Sequence, residues 1–352
     1  MIEFTQRAFG GRLRIPASMG AAGVGVATLD RDGSLLDCWF PSPELRENMP
    51  AERRLCSETE AISAIGQAAA QLVGYDPLRD VRRVVVSVSI EDLSREMSDL
   101  YDLYLRLHLL SHRLVRPNSI NVANLLKIVR NGVAWTSAGP CLVSQVGSAV
   151  TRAHSLGRPL VVRGTFIIPP MTDYVWPEGV SIADSTRVLL GAYLAPGTMV
   201  TPVGCCGPNA GTLGRSMVEG RISIGVVIGE ESDVGAGASL MGVTSGGGRE
   251  IVALGKRCLL GANSGLGIAL GDDCVVEAGC YITAGALVRC ADGRVVKARE
   301  LAGRSNLLFR RHSQTGVLEA IENRSRWGGL NPDLHRANRP AVISDVQRSI
   351  LS

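Results

Sequence analysis

Rings are scarce in this chain: Phe, Tyr and Trp together make up 4% of its 352 residues. That argues against the stacking platforms that grip single-stranded nucleic acid, and a net charge of only +4 supplies no electrostatic footprint for a phosphate backbone. The nine cysteines form no CxxC pair. Most lie among aliphatic residues in a glycine-rich stretch, where reduced, buried thiols acting as small hydrophobes are expected. The opening "MIEFTQRAFGGRLRIP" lacks the continuous apolar core of a signal peptide, and no later segment has the length to cross a bilayer. The expectation is a cytoplasmic protein with neither a membrane nor a nucleic-acid partner.

What is present is glycine, 41 residues of it, in a chain long enough for two or three domains. Residues 1–130 read as an α/β domain. "GVGVATLDRDGSLLDCWF" predicts two strands around the turn Asp30 to Gly33, and "VRRVVVSVSI" alternates Val84, Val86, Val88 and Ile90 on one face. A capping box of Ser57 and Glu60 opens a helix with the stripe Ile62, Ile65, Ala69 and Leu72, stopped at Gly74. A second helix carries Leu100, Leu103, Leu107, Leu110 and Leu114 on one side and must end near Arg116, before Pro117. Residues 131–179 form a connecting segment.

From residue 180 to 290 the period changes. Ile182, Val188, Leu194, Val200 and Cys206 recur every sixth residue. Ile222, Ile228, Val234 and Leu240 repeat the spacing, as do Leu254, Leu260 and Leu266, then Leu270, Val276, Ile282 and Val288. Four places after each stands a small residue in most cases, for example Thr186, Ala192, Thr198, Ser232, Ala238, Cys258, Ser264 and Cys280. A period of six fits neither a helix nor a simple strand, but it fits a coil of three short strands per turn with the aliphatic residue pointing inward. The fold class is therefore mainly β: a left-handed parallel β-helix of hexapeptide repeats, with the N-terminal α/β domain and a small C-terminal β extension over 291–352. In that extension strands are expected around Gly303 and Gly316, followed by a loosely held polar tail.

Two stretches interrupt the hexads: residues 207–221, "GPNAGTLGRSMVEGR", and residues 241–253, "MGVTSGGGREIVA". On spacing alone Glu219 reads as a solvated loop acid. Loops projecting from a rigid scaffold are also where sites are built.

The residues themselves carry more. "NAGTLGRSMVEGRIS", "SDVGAGASLMG", "LGKRCLLGANSGLGIALGDDCVVEAG", "KARELAG" and "NLLFRR", with "YLRLHLLSHRLVRPNSINV" upstream, resemble the 2,3,4,5-tetrahydropyridine-2,6-dicarboxylate N-succinyltransferase family, in the branch found in actinobacteria and pseudomonads. The resemblance implies an acyl-CoA-dependent enzyme of lysine and diaminopimelate synthesis: a homotrimer with acyl-CoA, most often succinyl-CoA, as cosubstrate in the groove between subunits, and no tightly bound cofactor. It places the catalytic carboxylate at Glu219, as nucleophile or as general base, with neighbouring Arg221 helping to keep it ionised. It matches acyl-CoA contacts to Arg221, Ser239, Ala262, Glu277, Ala278, Gly285, Lys297, Arg310, Arg311 and Ser313. Without it, Lys297, Arg310 and Arg311 read as solvated surface charge.

The chain also departs from the family. Ala236 stands where the family has glycine and His312 where it has asparagine. "VTPVGCCGPNAG" replaces the usual "VMHEGFVNFNAG", and Thr186 and Val203 occupy positions where some members place metal-binding acids, so no metal site is expected. The altered segment leaves room for a paralogue of specialised metabolism, as in tabtoxin-type β-lactam synthesis, that uses acetyl-CoA, and for a noncatalytic β-helix scaffold or sensor. "HLLSH" lacks the glutamate of a zincin, "LGKRC" lacks the spacing of a P-loop, and "GANSG" is not a nucleophile elbow. Cys205 and Cys206 have no histidine nearby in sequence and read as structural.

Overall fold

The computed structural model describes residues 19–242, 251–324 and 327–335. The opening segment to residue 18, residues 243–250 with the glycine run 246–248, and the tail beyond 335 lie outside the described residues.

Alternating apolar residues build an antiparallel sheet in the order Leu35–Trp39, Met19–Leu29, Val81–Ile90, Glu52–Leu55. The expected turn joins its first two strands, with Asp30 Oδ1 accepting from the amides of Asp32 and Ser34. The capping box forms as expected, but its helix, Glu58–Ile65, ends well before Gly74. Gly66 takes φ +92° there and donates its N–H to the Ile62 carbonyl, a C-cap that stops the helix early.

The second helix also stops early, running Leu100–Ser111, and it is buried on every side rather than along one stripe. Leu105 and Leu109, off the expected stripe, are as buried as Leu103 and Leu107, while Leu114 is exposed. The helix is sandwiched between the sheet and the coil. Ser111 Oγ accepts from the Gly191 amide at 2.8 Å and donates to the Ala192 carbonyl at 3.2 Å. Asn118 and Asn209 exchange hydrogen bonds at 2.8 and 3.0 Å just beyond.

The hexads wind three parallel sheets into a prism. Every expected inward position from Val188 to Val288 is at most 1% exposed. Thr186, by contrast, is exposed, because the coil has no rung below it. One sheet continues past Val275–Val276 to Leu307–Arg311, which then folds back around Gly316 onto Leu318–Glu322. Val295–Lys297 pairs instead with Leu287–Cys290, so the turn at Gly303 does not join paired strands.

The first interruption is not a loop. Gly211–Thr212 and Ser216–Val218 are strands in register with the rungs on either side, and Thr212 and Val218 are fully buried at inward positions. The six-residue step thus runs unbroken through Cys206, Thr212 and Val218, and the pattern slips only because the next inward residue, Ile222, comes after four. A polar Thr at one inward position hid this in the sequence; its hydroxyl pairs with that of Thr198 at 2.6 Å. The second interruption leaves the coil after Leu240 and rejoins at Ala253–Leu254, with residues 243–250 outside the described set.

Candidate active site

The shortened step places Glu219 and Gly220 in a tight corner of the prism. Glu219 donates its N–H to the Val234 carbonyl at 2.8 Å, and its carbonyl accepts from the Gly237 amide at 3.2 Å. A Cβ on Gly220 would lie 2.3 Å from the Ala238 carbonyl oxygen, so only glycine passes there. Glu219 is therefore held by a rigid corner and not presented by a loop.

The same corner repeats upward as a ladder. The Asn263 amide donates to the Ala236 carbonyl at 2.9 Å, the Gly279 amide to the Ala262 carbonyl at 2.9 Å, and the Glu277 amide to the Phe309 carbonyl at 2.9 Å. Glu277 Oε2 then accepts from the Arg311 amide at 3.2 Å. Glu219, Ala262, Glu277, Ala278, Arg310 and Arg311, far apart in sequence, thereby line one edge of the prism, and Ser313 follows two residues beyond Arg311. Ala236, Ala262 and Ala278 are exposed there, leaving a bare strip of small residues. His312, the departure from the family pattern, orders the end of this edge through Nδ1, which accepts from the Gln314 and Thr315 amides at 3.3 Å.

The sheet face beside this edge carries Cys205, Arg221, Ser239, Gly265 and Tyr281 in register. Arg221 donates to Ser239 Oγ from Nη2 at 2.7 Å and from Nε at 3.2 Å. No Glu219–Arg221 ion pair occurs among the described residues; the Arg221 guanidinium is held by Ser239 instead. Gly285 and Lys297 lie at the opposite edge of this face, where Lys297 pairs with Leu287 and its amide donates to Glu300 Oε1 at 3.1 Å. Arg310 is tied to Glu319 at 3.1 Å and Arg311 to the Gly316 carbonyl at 2.7 Å.

Two residues were missed in the sequence. Asp233 sits one step before inward Val234 in "SDVGAG", and burial, followed by the charge of Glu219, pushes its carboxyl up to about 6. A carboxyl shifted toward neutrality beside Glu219 gives the corner a group able to hold a proton next to a second carboxyl. The signal was an acid directly preceding a hexad residue. Tyr281 lays its ring on Gly265, whose missing Cβ would lie 2.3 Å from Tyr281 Cδ1.

The third corner type is different again. Arg215–Glu231, Lys256–Glu230 and Arg257–Asp273 cross it at 2.7, 3.6 and 2.7 Å, a ladder of ion pairs on the outer surface. At the base of the coil, Thr186 donates to Asp184 Oδ1 through both N–H and Oγ, and no cluster of three or more His, Cys, Asp or Glu able to hold a metal occurs among the described residues. Cys206 is fully buried and burial pushes its thiol far up, as fits a structural residue. No helix among the described residues is long and apolar enough to cross a membrane.

A rigid parallel coil with one small-residue edge, a carboxylate set in its corner and cationic side chains at its far end defines a hexapeptide-repeat acyltransferase, and the hexapeptide repeat of succinyl-transferase matches residues 251–284. The particular family emerges from whole-chain likeness. A 2,3,4,5-tetrahydropyridine-2,6-dicarboxylate N-succinyltransferase of Vibrio cholerae is 40% identical over 90% of this chain and 99% of its own length. The Pseudomonas aeruginosa protein of the same name is 39% identical over 91% and 99%. A solved Campylobacter jejuni structure, described as a 2,3,4,5-tetrahydropyridine-2-carboxylate N-succinyltransferase, superposes with a TM-score of 0.73 at 26% identity, covering 88% of this chain and 94% of that one. The chain belongs to the 2,3,4,5-tetrahydropyridine-2,6-dicarboxylate N-succinyltransferase family.

Proposed function

We propose that the protein transfers a succinyl group from succinyl-CoA to the amine of tetrahydrodipicolinate, with uptake of water, giving N-succinyl-2-amino-6-oxopimelate and CoA. The observation that carries this reading is the continuous edge from Glu219 through Ala236, Ala262 and Glu277 to Arg311. Small side chains leave a path for an extended pantetheine, Arg311 and Lys297 suit phosphates, and Arg221 with Ser239 borders the thioester end.

Two routes use the same carboxylate. As nucleophile, Glu219 attacks the thioester carbon, expels CoA thiolate and forms a mixed anhydride, which the acceptor amine opens to restore the carboxylate. As base, Glu219 takes the proton from the amine as nitrogen attacks the thioester directly. In both, Asp233 supplies the proton that the departing thiolate takes up. A CoA burst without acceptor separates the routes, since only the anhydride releases thiol before the amine arrives.

The acyl-CoA groove is completed by a neighbouring copy in a homotrimer of left-handed coils, in the cytoplasm. The chain divides into an N-terminal α/β domain to residue 130, a connecting segment to 179, the coil to 290 and the C-terminal extension. A thiol-release assay with tetrahydrodipicolinate tests the donor. Preference for succinyl-CoA over acetyl-CoA supports the reading, and preference for acetyl-CoA or silence with this acceptor overturns it.

A further inference from the structure

Three of the four tryptophans in this ring-poor chain, Trp39, Trp135 and Trp176, line a single cavity of about 410 Å³ in which no residue of the coil takes part. Its floor is one face of the N-terminal sheet. Across three neighbouring strands, Asp37, Thr28 and Arg83 stand in register as a polar row, and Trp39, Val26 and Val85 form an apolar row directly beside it.

The polar row is incomplete. Asp37 is 5% exposed; its Oδ2 accepts from the Tyr174 hydroxyl at 2.6 Å, the Thr28 side chain and the Arg79 charge also act on the carboxylate, and Oδ1 accepts no hydrogen bond of ordinary length. Arg83 Nε is buried and likewise without a partner. The other charges facing the cavity are already matched: Arg79 holds Asp76 at 2.8 Å and donates to the Pro140 carbonyl at 3.1 Å, and Arg163 pairs with Asp173. What remains is one open acceptor and one open guanidinium donor, two strand spacings or about 10 Å apart. They form no ion pair with each other among the described residues. Native structures rarely leave such groups buried and unmatched.

We infer that this cavity is a binding site for a free α-amino acid. Its ammonium meets Asp37, its carboxylate meets Arg83, and its side chain lies along the Trp39–Val26–Val85 row under Trp135 and Trp176. A zwitterionic head answers both open groups without adding net charge. The cavity volume falls within the ordinary range for small-molecule sites, about 300–1,000 Å³. The inference does not rest on acyl transfer.

Three of four indoles at the site make tryptophan fluorescence the direct readout. The full-length protein, without CoA, is titrated with each of the twenty L-α-amino acids and with meso-diaminopimelate up to about 10 mM. The expected result is a saturable change with at least one of them, weakened about tenfold or more in Arg83→Gln and Asp37→Asn, and retained in Glu219→Ala. The N-acetyl and methyl-ester derivatives of that amino acid, each lacking one head charge, should bind weakly. Because Asp37 is fully buried, half-buried Arg83 carries the test if Asp37→Asn does not fold. Silence of every amino acid, or a response that Arg83→Gln and the blocked derivatives leave intact, overturns the inference.

Discussion

The coil and the N-terminal sheet bury opposite kinds of group. Inside the prism the buried side chains are mainly Leu, Val, Ile, Ala and Cys, with hydroxyls such as Thr212, Ser232 and Ser264 and no charged group among the described residues. The N-terminal region instead buries Arg106, Asp102, His108, Asp37 and Arg79, each nearly or wholly out of solvent. In the coil the backbone groups are satisfied by the next rung, so repetition alone fixes the structure. The N-terminal region has no repeat to fix its register, and it carries matched polar contacts instead: Arg106 binds Asp102 at 2.6 Å and the Leu93 and Asn121 carbonyls at 2.7 and 2.8 Å. One half should therefore respond to lost volume and the other to lost charge.

The sharpest break should come from Arg106→Ala. It strands Asp102 in a buried site and is expected to cost about 3–5 kcal/mol, measured by denaturant unfolding. Leu266→Ala, fully buried in the coil, should cost roughly 3 kcal/mol through the cavity it leaves. If the charge deletion proves the milder of the two, the contrast fails.

Acid should separate the halves further. His108 accepts from the Phe40 amide through Nε2 and donates from Nδ1 to the Tyr104 carbonyl, and burial holds its pKa down to about 3. Protonation then favours the unfolded chain. The stability this supplies is complete above the ordinary pKa of 6.5 and is lost as pH falls toward 3. At about pH 4 the loss should reach roughly 3 kcal/mol, seen as hydrogen exchange rising in the helix Leu100–Ser111 before the coil.

Asp233 runs the other way and should show the smallest effect. Its raised pKa means the contribution is full below the ordinary 3.8 and lost as pH rises through about 6. Asp233→Asn should be more stable than the parent above pH 6 by about 1 kcal/mol, a figure reduced for solvent screening, and equal to it in acid. A constant difference across pH would show that Asp233 does not titrate in that range.

The same contrast explains what could be read beforehand. Sixfold spacing exposed the inward residues of the coil one by one, because a repeat writes its geometry into every rung. It failed at residues 207–221, where Thr212 in an inward slot and a four-residue step to Ile222 disguised strands as a loop. In the N-terminal region the caps at Ser57 and Glu60 were legible, but the all-round burial of Leu100–Ser111 was not, since it depends on two partners distant in sequence. The candidate site residues came from the family resemblance; the fold shows that Glu219 and Arg311 share an edge, that Arg221 turns to Ser239, and that Asp233 stands beside Glu219.

The central claim is that the tightened corner, and not the ion-pair corner, carries the chemistry. The most direct test compares acceptor-dependent CoA release by Glu219→Ala and Glu231→Ala, the two acids on neighbouring corners. The expected result is a loss of about 10³-fold or more for Glu219→Ala and near-parental turnover for Glu231→Ala. Equal activity in the two variants would contradict it.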